Sequence, residues 1–457
     1  MGEERLSALD ASFLAVEGPA TPMHVGWVAT FDPPETGPRP TFGALFPHVG
    51  GRLGSLRRYR QRLASVPLGL HQPVWVDDPA FHLARHLRHA PGADLDASVD
   101  TILSTPLPRD RPLWEIWIAD ELGDGRVALI GKMHHCMVDG GAVAELGTRL
   151  LDRRPDGWEA DDGAASAAPD PSGPRGGRLA RAVAEQAAGA AALALAPVRM
   201  AASPARVISL PAAAGAGARA LGHALLPPAP DSPLNLPGSP RRRLVRVSRP
   251  LDDIRTVRRR FGVTPNDVVL AATAGALRRF AERRGTAPQR LKAMVPADVR
   301  TSADTAESGN RIAFLFIELP CDEPDPVARL MVVHGATAQR RRDREAEVVD
   351  AVLRTLTLAP RPLQQALAQG FGHPRLFNLT VSSVAGPAVP RFLRGCRLHE
   401  VHSAVPLPGR HALSIGVVTV AGRACFGLYA DAETLPDAAL LGDDLDEAVD
   451  ELLDARG

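Results

Sequence analysis

The stretch from about 153 to 235 constrains this chain most, because it divides the 457 residues into two parts. Asp156 to Gly177 is rich in Ala, Asp, Pro, Gly and Ser, a composition that suits a flexible linker. Leu179 to Leu226 is dominated by alanine and interrupted by Pro197, Pro204 and Pro211, which limits it to two or three short helices. Such helices bury little area each, so they pack on the second part or lie against something apolar. One hydrophobic core rarely grows past about 250–300 residues. Folded units are therefore expected at 1–152 and 236–457, with 153–235 as the connector.

In the first unit, Trp114 to Leu122 and Arg126 to His134 read as hairpin strands around Gly123-Asp124-Gly125. Glycine tolerates positive φ and Asp bonds its own backbone, so this is good turn chemistry. After Gly140-Gly141 the period becomes helical, with Val143, Leu146, Leu150 and Leu151 on one face. The second unit has a strand pattern at Leu244 to Ser248, then helical patterns at Leu251 to Arg260 and Asn266 to Arg284. Pro265 precedes the latter, with Asn266 expected as its cap. Further strands are expected at Leu291 to Val295, Ile312 to Leu319, Leu376 to Ser382, Ala412 to Val420 and Arg423 to Tyr429. Strands interleaved with helices indicate α/β layers in both halves.

The formal charge is +1, so composition gives no reason to expect nucleic acid as a partner. Cys136, Cys321, Cys396 and Cys425 are scattered and form no C-x-x-C pair, which fits a reducing cytoplasm. The N-terminal sequence has no basic region followed by an apolar one, so no signal peptide is read. No run of about 18 apolar residues is present, so no transmembrane helix is expected.

Chemistry concentrates in Met133 to Gly140, where a strand ends in two adjacent histidines and Asp-Gly follows. Three readings compete. His135 and Asp139 have a metal-ligand spacing, but a third ligand at sensible spacing is missing. The two histidines could instead be satisfied structural residues at a strand end. Third, a histidine titrates near neutral pH and can take the proton of a hydroxyl while an acyl group arrives. Cys136 beside them is a poor nucleophile candidate, because neighbouring side chains on a strand point to opposite faces. No Gly-x-Ser-x-Gly elbow is present, so an acyl-serine intermediate is not indicated.

With Leu6-Ser-Ala-Leu-Asp-Ala-Ser-Phe13, Thr21-Pro-Met-His-Val25, Arg111-Pro-Leu-Trp-Glu115 and His134 to Gly140, the chain resembles bacterial wax ester synthase/acyl-CoA:diacylglycerol acyltransferases. These belong to the CoA-dependent acyltransferase superfamily, marked by H-H-x-x-x-D-G. The resemblance continues through Val263-Thr-Pro-Asn-Asp-Val-Val-Leu270, Val295-Pro-Ala-Asp-Val-Arg300, Gly309-Asn310 and Asn378-Leu-Thr-Val-Ser-Ser383, leaving only about 155 to 230 outside it. Two places differ from the family pattern. Asn378 to Pro387 reads Asn-Leu-Thr-Val-Ser-Ser-Val-Ala-Gly-Pro, and Thr419-Val420 stands where Ser-Tyr is usual.

The resemblance implies a two-domain α/β fold like chloramphenicol acetyltransferase, with an active-site channel at the domain interface. It implies His135 as general base and His134 as a supporting residue that shapes the pocket. Asp139 would be structural, pairing an arginine, with Arg300 one candidate, and Gly140 would permit the tight turn. Asn266 and Asp267 belong to a segment that matters for activity in the family, whereas Pro112-Leu113-Trp114-Glu115 fits support of the fold and channel wall. The implied reaction moves a long-chain acyl group from acyl-CoA, a co-substrate, to diacylglycerol or a long-chain alcohol, with no bound cofactor and no metal. A non-lipid hydroxyl acceptor and a non-catalytic acyl-CoA- or lipid-binding protein are the competing readings. Peripheral contact with the inner membrane or lipid inclusions is expected. Arg241-Arg242-Arg243 and Arg340-Arg341-Arg342 could attract CoA phosphates or simply form solvated faces.

Overall fold

A computed structural model describes residues 4–137 (except 55, 91 and 93), 146–156, 217–298 (except 221 and 224), 312–356 and 361–456, with isolated positions 184, 215 and 359. Two mixed six-stranded sheets carry the architecture. The first runs, in spatial order, β12 (Phe392–Leu393), β13 (Cys396–Ala404), β2 (His24–Phe31), β7 (Val127–His134), β6 (Trp114–Ala119) and β5 (Leu87–His89). The second runs β10 (Ile312–Leu319), β9 (Leu291–Asp298), β11 (Leu379–Ala385), β14 (Leu413–Val420), β15 (Arg423–Asp431) and β8 (Arg242–Pro250). A small three-stranded sheet joins β1 (Glu4–Arg5), β4 (Val74–Asp77) and β3 (Gln61–Ala64). Two strands from the C-terminal half, β12 and β13, therefore complete the first sheet.

The helices are α1 (Ala8–Val16), α2 (Phe42–Gly54), α3 (Leu95–Ser104), α4 (Leu251–Phe261), α5 (Pro265–Arg283), α6 (Pro326–Arg342), α7 (Glu345–Leu356), α8 (Arg361–Phe371) and α9 (Ala438–Asp454). One core cluster joins α4, α5 and α9 to the second sheet, and α5 is apolar nearly all round because Val268 to Leu277 lie inside it. Another joins α2 to the first sheet through Leu45, Val49 and Leu53 against Trp114, Ile116 and Leu129. The segment 112–115 supports this core: Leu113 and Trp114 are fully buried, and Trp114 Nε1 donates to the Tyr59 carbonyl at 2.8 Å.

Asn266 does not cap α5 as expected. The cap is Thr264, whose hydroxyl accepts from the Asp267 amide at 3.2 Å while the Asp267 carboxylate accepts from the Thr264 amide at 2.9 Å. Pro265 then occupies the first helical position, where its missing N–H costs nothing. Asp267 is also clamped from α6, by His334 Nδ1 at 2.9 Å and the Thr337 hydroxyl at 2.6 Å. Thr264→Ala should therefore cost about 1 kcal/mol in urea unfolding, while Asn266→Ala should cost less than about 0.5 kcal/mol. The reverse ranking would contradict this assignment.

The two sheets touch where β13 crosses the second sheet. Gly416 and Gly427 are cross-strand partners on β14 and β15, and Ser403 of β13 lies directly on them. A Cβ on Gly427 would stand 2.1 Å from the Ser403 carbonyl oxygen, and one on Gly416 would stand 2.2 Å from its hydroxyl. Glycine is the residue that permits so close a backbone approach.

Candidate active site

Strand β7 delivers the two histidines. It is buried along its length and pairs antiparallel with β2, with Met133 opposite Val25 and His134 opposite His24. The ladder runs one step further, since the His135 amide donates to the Met23 carbonyl at 2.9 Å. Strand alternation then turns the two rings to opposite sides.

His134 points into the protein and is fully buried. Its Nδ1 accepts from the Cys136 amide at 3.1 Å, so the ring's proton sits on Nε2. Nε2 lies 3.3 Å from the Glu17 carboxylate and 3.4 Å from Arg109 Nη2. Both Nε2 and the guanidinium carry hydrogens, so the carboxylate holds the pair together, and Arg109 is ion-paired to Glu17. Burial, helped by the Arg109 charge, lowers the His134 pKa to about 3. His24, also buried, is pushed well below the usual histidine range, first by burial and then by His134.

His135 faces the other way and is half-buried. Its ring stacks on Phe13 of α1 at 3.8 Å between centroids and 16° between planes. Burial lowers its pKa to about 4, so the ring is neutral near pH 7. Two cavities, of about 420 and 500 Å³, both reach His135 and share Pro296, Ile312, Val405 and Pro406. Val16, Leu367, Phe371 and Phe377 line the first, while Trp27, Leu129, Leu150 and Val384 line the second. Each falls in the size range of small-molecule sites, roughly 300–1,000 Å³. The neutral imidazole stands where two apolar spaces adjoin, between the end of β7 and strands β9 and β10. Thr380 and Ser382, two apart on β11, line the first and second cavity respectively.

Asp139, Gly140 and Arg300 lie outside the described residues, as does most of the connector; the Ala-rich segment is described only at 184, 215 and most of 217–226, where it is helical as expected up to 225. Asn266 is not among the residues that line either cavity. Its side-chain oxygen accepts from the Ser383 hydroxyl at 3.2 Å, and Ser383 lines the second cavity. Cys136 is buried and burial pushes its thiol pKa up, which removes the thiolate a nucleophile needs. The arginine clusters have internal partners: Arg242 pairs with Asp431 at 3.2 Å, Arg243 donates to the Pro436 carbonyl, and Arg340 donates to the Phe316 carbonyl.

Sequence reasoning missed Glu17, Arg109 and Phe13 as neighbours of the histidines. For Phe13 a signal was present, because several segments carrying the family resemblance converge here. Leu6 to Phe13 supplies the stacked ring, Thr21 to Val25 supplies Met23 and His24, Val295 to Arg300 supplies Pro296, and Asn378 to Ser383 supplies Thr380 and Ser382.

Two family profiles match the chain. One, the wax ester synthase/diacylglycerol acyltransferase catalytic domain, matches residues 6–269, and the other, the WS/DGAT C-terminal domain, matches residues 308–453. A relative from Mycobacterium tuberculosis, provisionally named a diacylglycerol O-acyltransferase, is 32% identical over 475 residues, covering 99% of this chain and 90% of its own. A second, from the same organism and also provisionally named a diacylglycerol O-acyltransferase, is 30% identical over 461 residues, covering 98% and 95%. Among solved structures, the wax ester synthase/diacylglycerol acyltransferase from Marinobacter aquaeolei VT8 matches with TM-score 0.66 at 27% identity, covering 98% of each chain. The first condensation domain of a calcium-dependent antibiotic synthetase shares the fold, with TM-score 0.61 at 17% identity, covering 99% of this chain and 96% of that one. The two-domain α/β architecture expected from the sequence is the one these structures share.

Proposed function

Because the chain belongs to the wax ester synthase/diacylglycerol acyltransferase family, we propose that it acylates a lipid hydroxyl from acyl-CoA, with His135 as general base. The protein is an enzyme, an acyltransferase of that family. Within that chemistry the donor is long-chain acyl-CoA. The acceptor is diacylglycerol, giving triacylglycerol, with long-chain alcohols as further acceptors.

The observation that carries the reading is a neutral imidazole shared by two apolar cavities. One cavity can hold the acyl chain and the other the acceptor's chains, so the reacting groups meet at the ring. Each buried methylene contributes about 0.8 kcal/mol, which favours long chains and disfavours a polyol. As the acceptor oxygen attacks the thioester carbonyl, His135 takes its proton. The tetrahedral oxyanion needs donors, and Thr380 and Ser382, hydroxyl-bearing residues that line the two cavities, are the candidates. Collapse breaks the C–S bond and releases CoA as thiolate. An imidazolium held down to about 4 then gives up its proton readily to a thiolate whose own pKa is near 8.5. The ring returns to its neutral state.

The test measures CoA release from palmitoyl-CoA with diacylglycerol, hexadecanol or a soluble polyol as acceptor. Diacylglycerol or the alcohol should stimulate release. Stimulation by the polyol alone would overturn the lipid acceptor, and acyl-CoA binding without turnover on any acceptor would overturn catalysis by this site.

A pH profile tests the base separately. The neutral ring is the active form, so activity is present above its pKa and lost as pH falls through it. With that pKa lowered to about 4, kcat/KM should stay level through pH 6.5 and decline only nearer 4. An acid limb centred at 6.5 would show an ordinary, solvated histidine instead.

A further inference from the structure

We propose that Glu17 is a positioning residue that holds, from behind, both backbone segments supporting the His135 ring. The inference rests on the reading of His135 as general base. Glu17 closes the C-terminal end of α1, the helix that also carries Phe13. One end of this helix thus supplies both the ring that stacks on His135 and the carboxylate that anchors its support.

The anchoring runs along two arms. In the first, Glu17 Oε1 accepts from the Met23 amide at 3.3 Å, and the Met23 carbonyl accepts from the His135 amide at 2.9 Å. In the second, the same oxygen lies 3.3 Å from His134 Nε2, while His134 Nδ1 accepts from the Cys136 amide at 3.1 Å. The residues just before and just after His135 are therefore tied to one carboxylate through the His134 ring, and the strand opposite is tied to it through Met23. The other oxygen, Oε2, is ion-paired with Arg109. The Glu17 side chain is only 17% exposed and His134 is fully enclosed, so losing the carboxylate removes the negative charge that faces the buried His134 ring. Glu17 itself lines neither cavity, so a wrong carboxylate geometry reaches the substrate through the residues it holds, His135 and the Met23 of the first cavity.

The experiment compares Glu17→Ala, Glu17→Gln, His134→Asn and the Glu17→Ala/His134→Asn double variant, using palmitoyl-CoA with the best acceptor. Asn at 134 keeps an oxygen to accept from the Cys136 amide but removes the Nε2 that stands 3.3 Å from Glu17. Glu17→Ala should lower kcat about 100-fold, the scale of a displacement of about 1 Å at the reacting centre, with KM for palmitoyl-CoA nearly unchanged. Glu17→Gln, which still offers an oxygen, should recover part of that loss. Because His134 acts only through the arm it shares with Glu17, the double variant should be no worse than the poorer single. Unchanged kcat in Glu17→Ala, or a rise in KM at constant kcat, would overturn the proposal, as would losses that multiply in the double variant. Should Glu17→Ala not fold, nitrogen chemical shifts of the wild-type histidines still decide. They must show His134 as the neutral Nε2–H tautomer, and an Nδ1–H tautomer would sink the arrangement. Activity retained by His135→Ala would instead mark failure of the general-base reading itself.

Discussion

Replacing His135 with alanine is expected to lower acceptor-dependent CoA release by about 10²–10⁴-fold, the usual contribution of a positioned general base. The effect should appear in kcat, because the ring touches the reacting centre and not the greater part of either chain. Palmitoyl-CoA should still bind, held by cavity walls that the substitution leaves intact. Stability should fall little. The ring borders open cavities, so its removal enlarges an existing space and forfeits mainly the stacking on Phe13, about 0.5–1.5 kcal/mol. Release kinetics with and without acceptor, together with a melting curve, separate these effects. A folded variant that keeps a tenth or more of wild-type kcat/KM would remove His135 from the chemistry. Residual turnover below that level is expected, since donors to the oxyanion remain.

The largest stability effect is expected at Gly427. An alanine there places Cβ 2.1 Å from the Ser403 carbonyl oxygen, so one backbone must move away from the other. Neither can do so cheaply. β15 is hydrogen-bonded on both sides, to β14 and to β8, and β13 is held to β2 with Ser403 opposite Trp27. Overpacking typically costs about 1–3 kcal/mol where side chains can yield, and a backbone contact should reach or exceed the top of that range. Gly51 of α2 is the control, being exposed with nothing within 4 Å of the point where a Cβ would stand. Alanine there should stabilise by up to about 1 kcal/mol through helix propensity. Urea unfolding of the two variants gives the comparison, and a Gly427→Ala midpoint equal to wild type would refute the close approach.

Much of the fold was legible in local pattern. Ile312–Leu319 forms the strand expected of it, and the β6–β7 hairpin turns at Gly125 with φ +79° and a 3.0 Å bond from its amide to the Leu122 carbonyl. The edges failed where side chains compete with backbone. β9 runs on through Pro296 to Asp298, because β11 pairs with it only at Ala293 and Met294 and the missing N–H is not needed beyond. β11 begins at Leu379 rather than Leu376, after Asn378 has used its side chain to clamp the Lys292 amide at 2.8 Å and Asn235 at 2.7 Å. Thr264 and Asn266 are both capping residue types, and only the preference for proline at the first helical position distinguishes them.

At the site, strand alternation, used in the sequence only to set Cys136 aside, also sends His135 and His134 to opposite sides. What it could not give was the company each ring keeps. Glu17, Arg109 and His24 reach His134 from separate segments, and no spacing rule relates a helix end to a distant strand end. The joining of β13 to β2 is a long-range pairing of the same kind, set by sheet topology and invisible to periodicity.

That pairing sets the order of events at the ribosome. Until residues near 404 have emerged, β2 presents a bare row of amides and carbonyls along Gly26 to Phe31, next to an apolar surface already made. The nascent N-terminal part thus carries a sticky open flank through the synthesis of the whole connector and most of the C-terminal half. Fragments that stop in the connector would inherit that flank permanently, and would be expected to clump rather than fold.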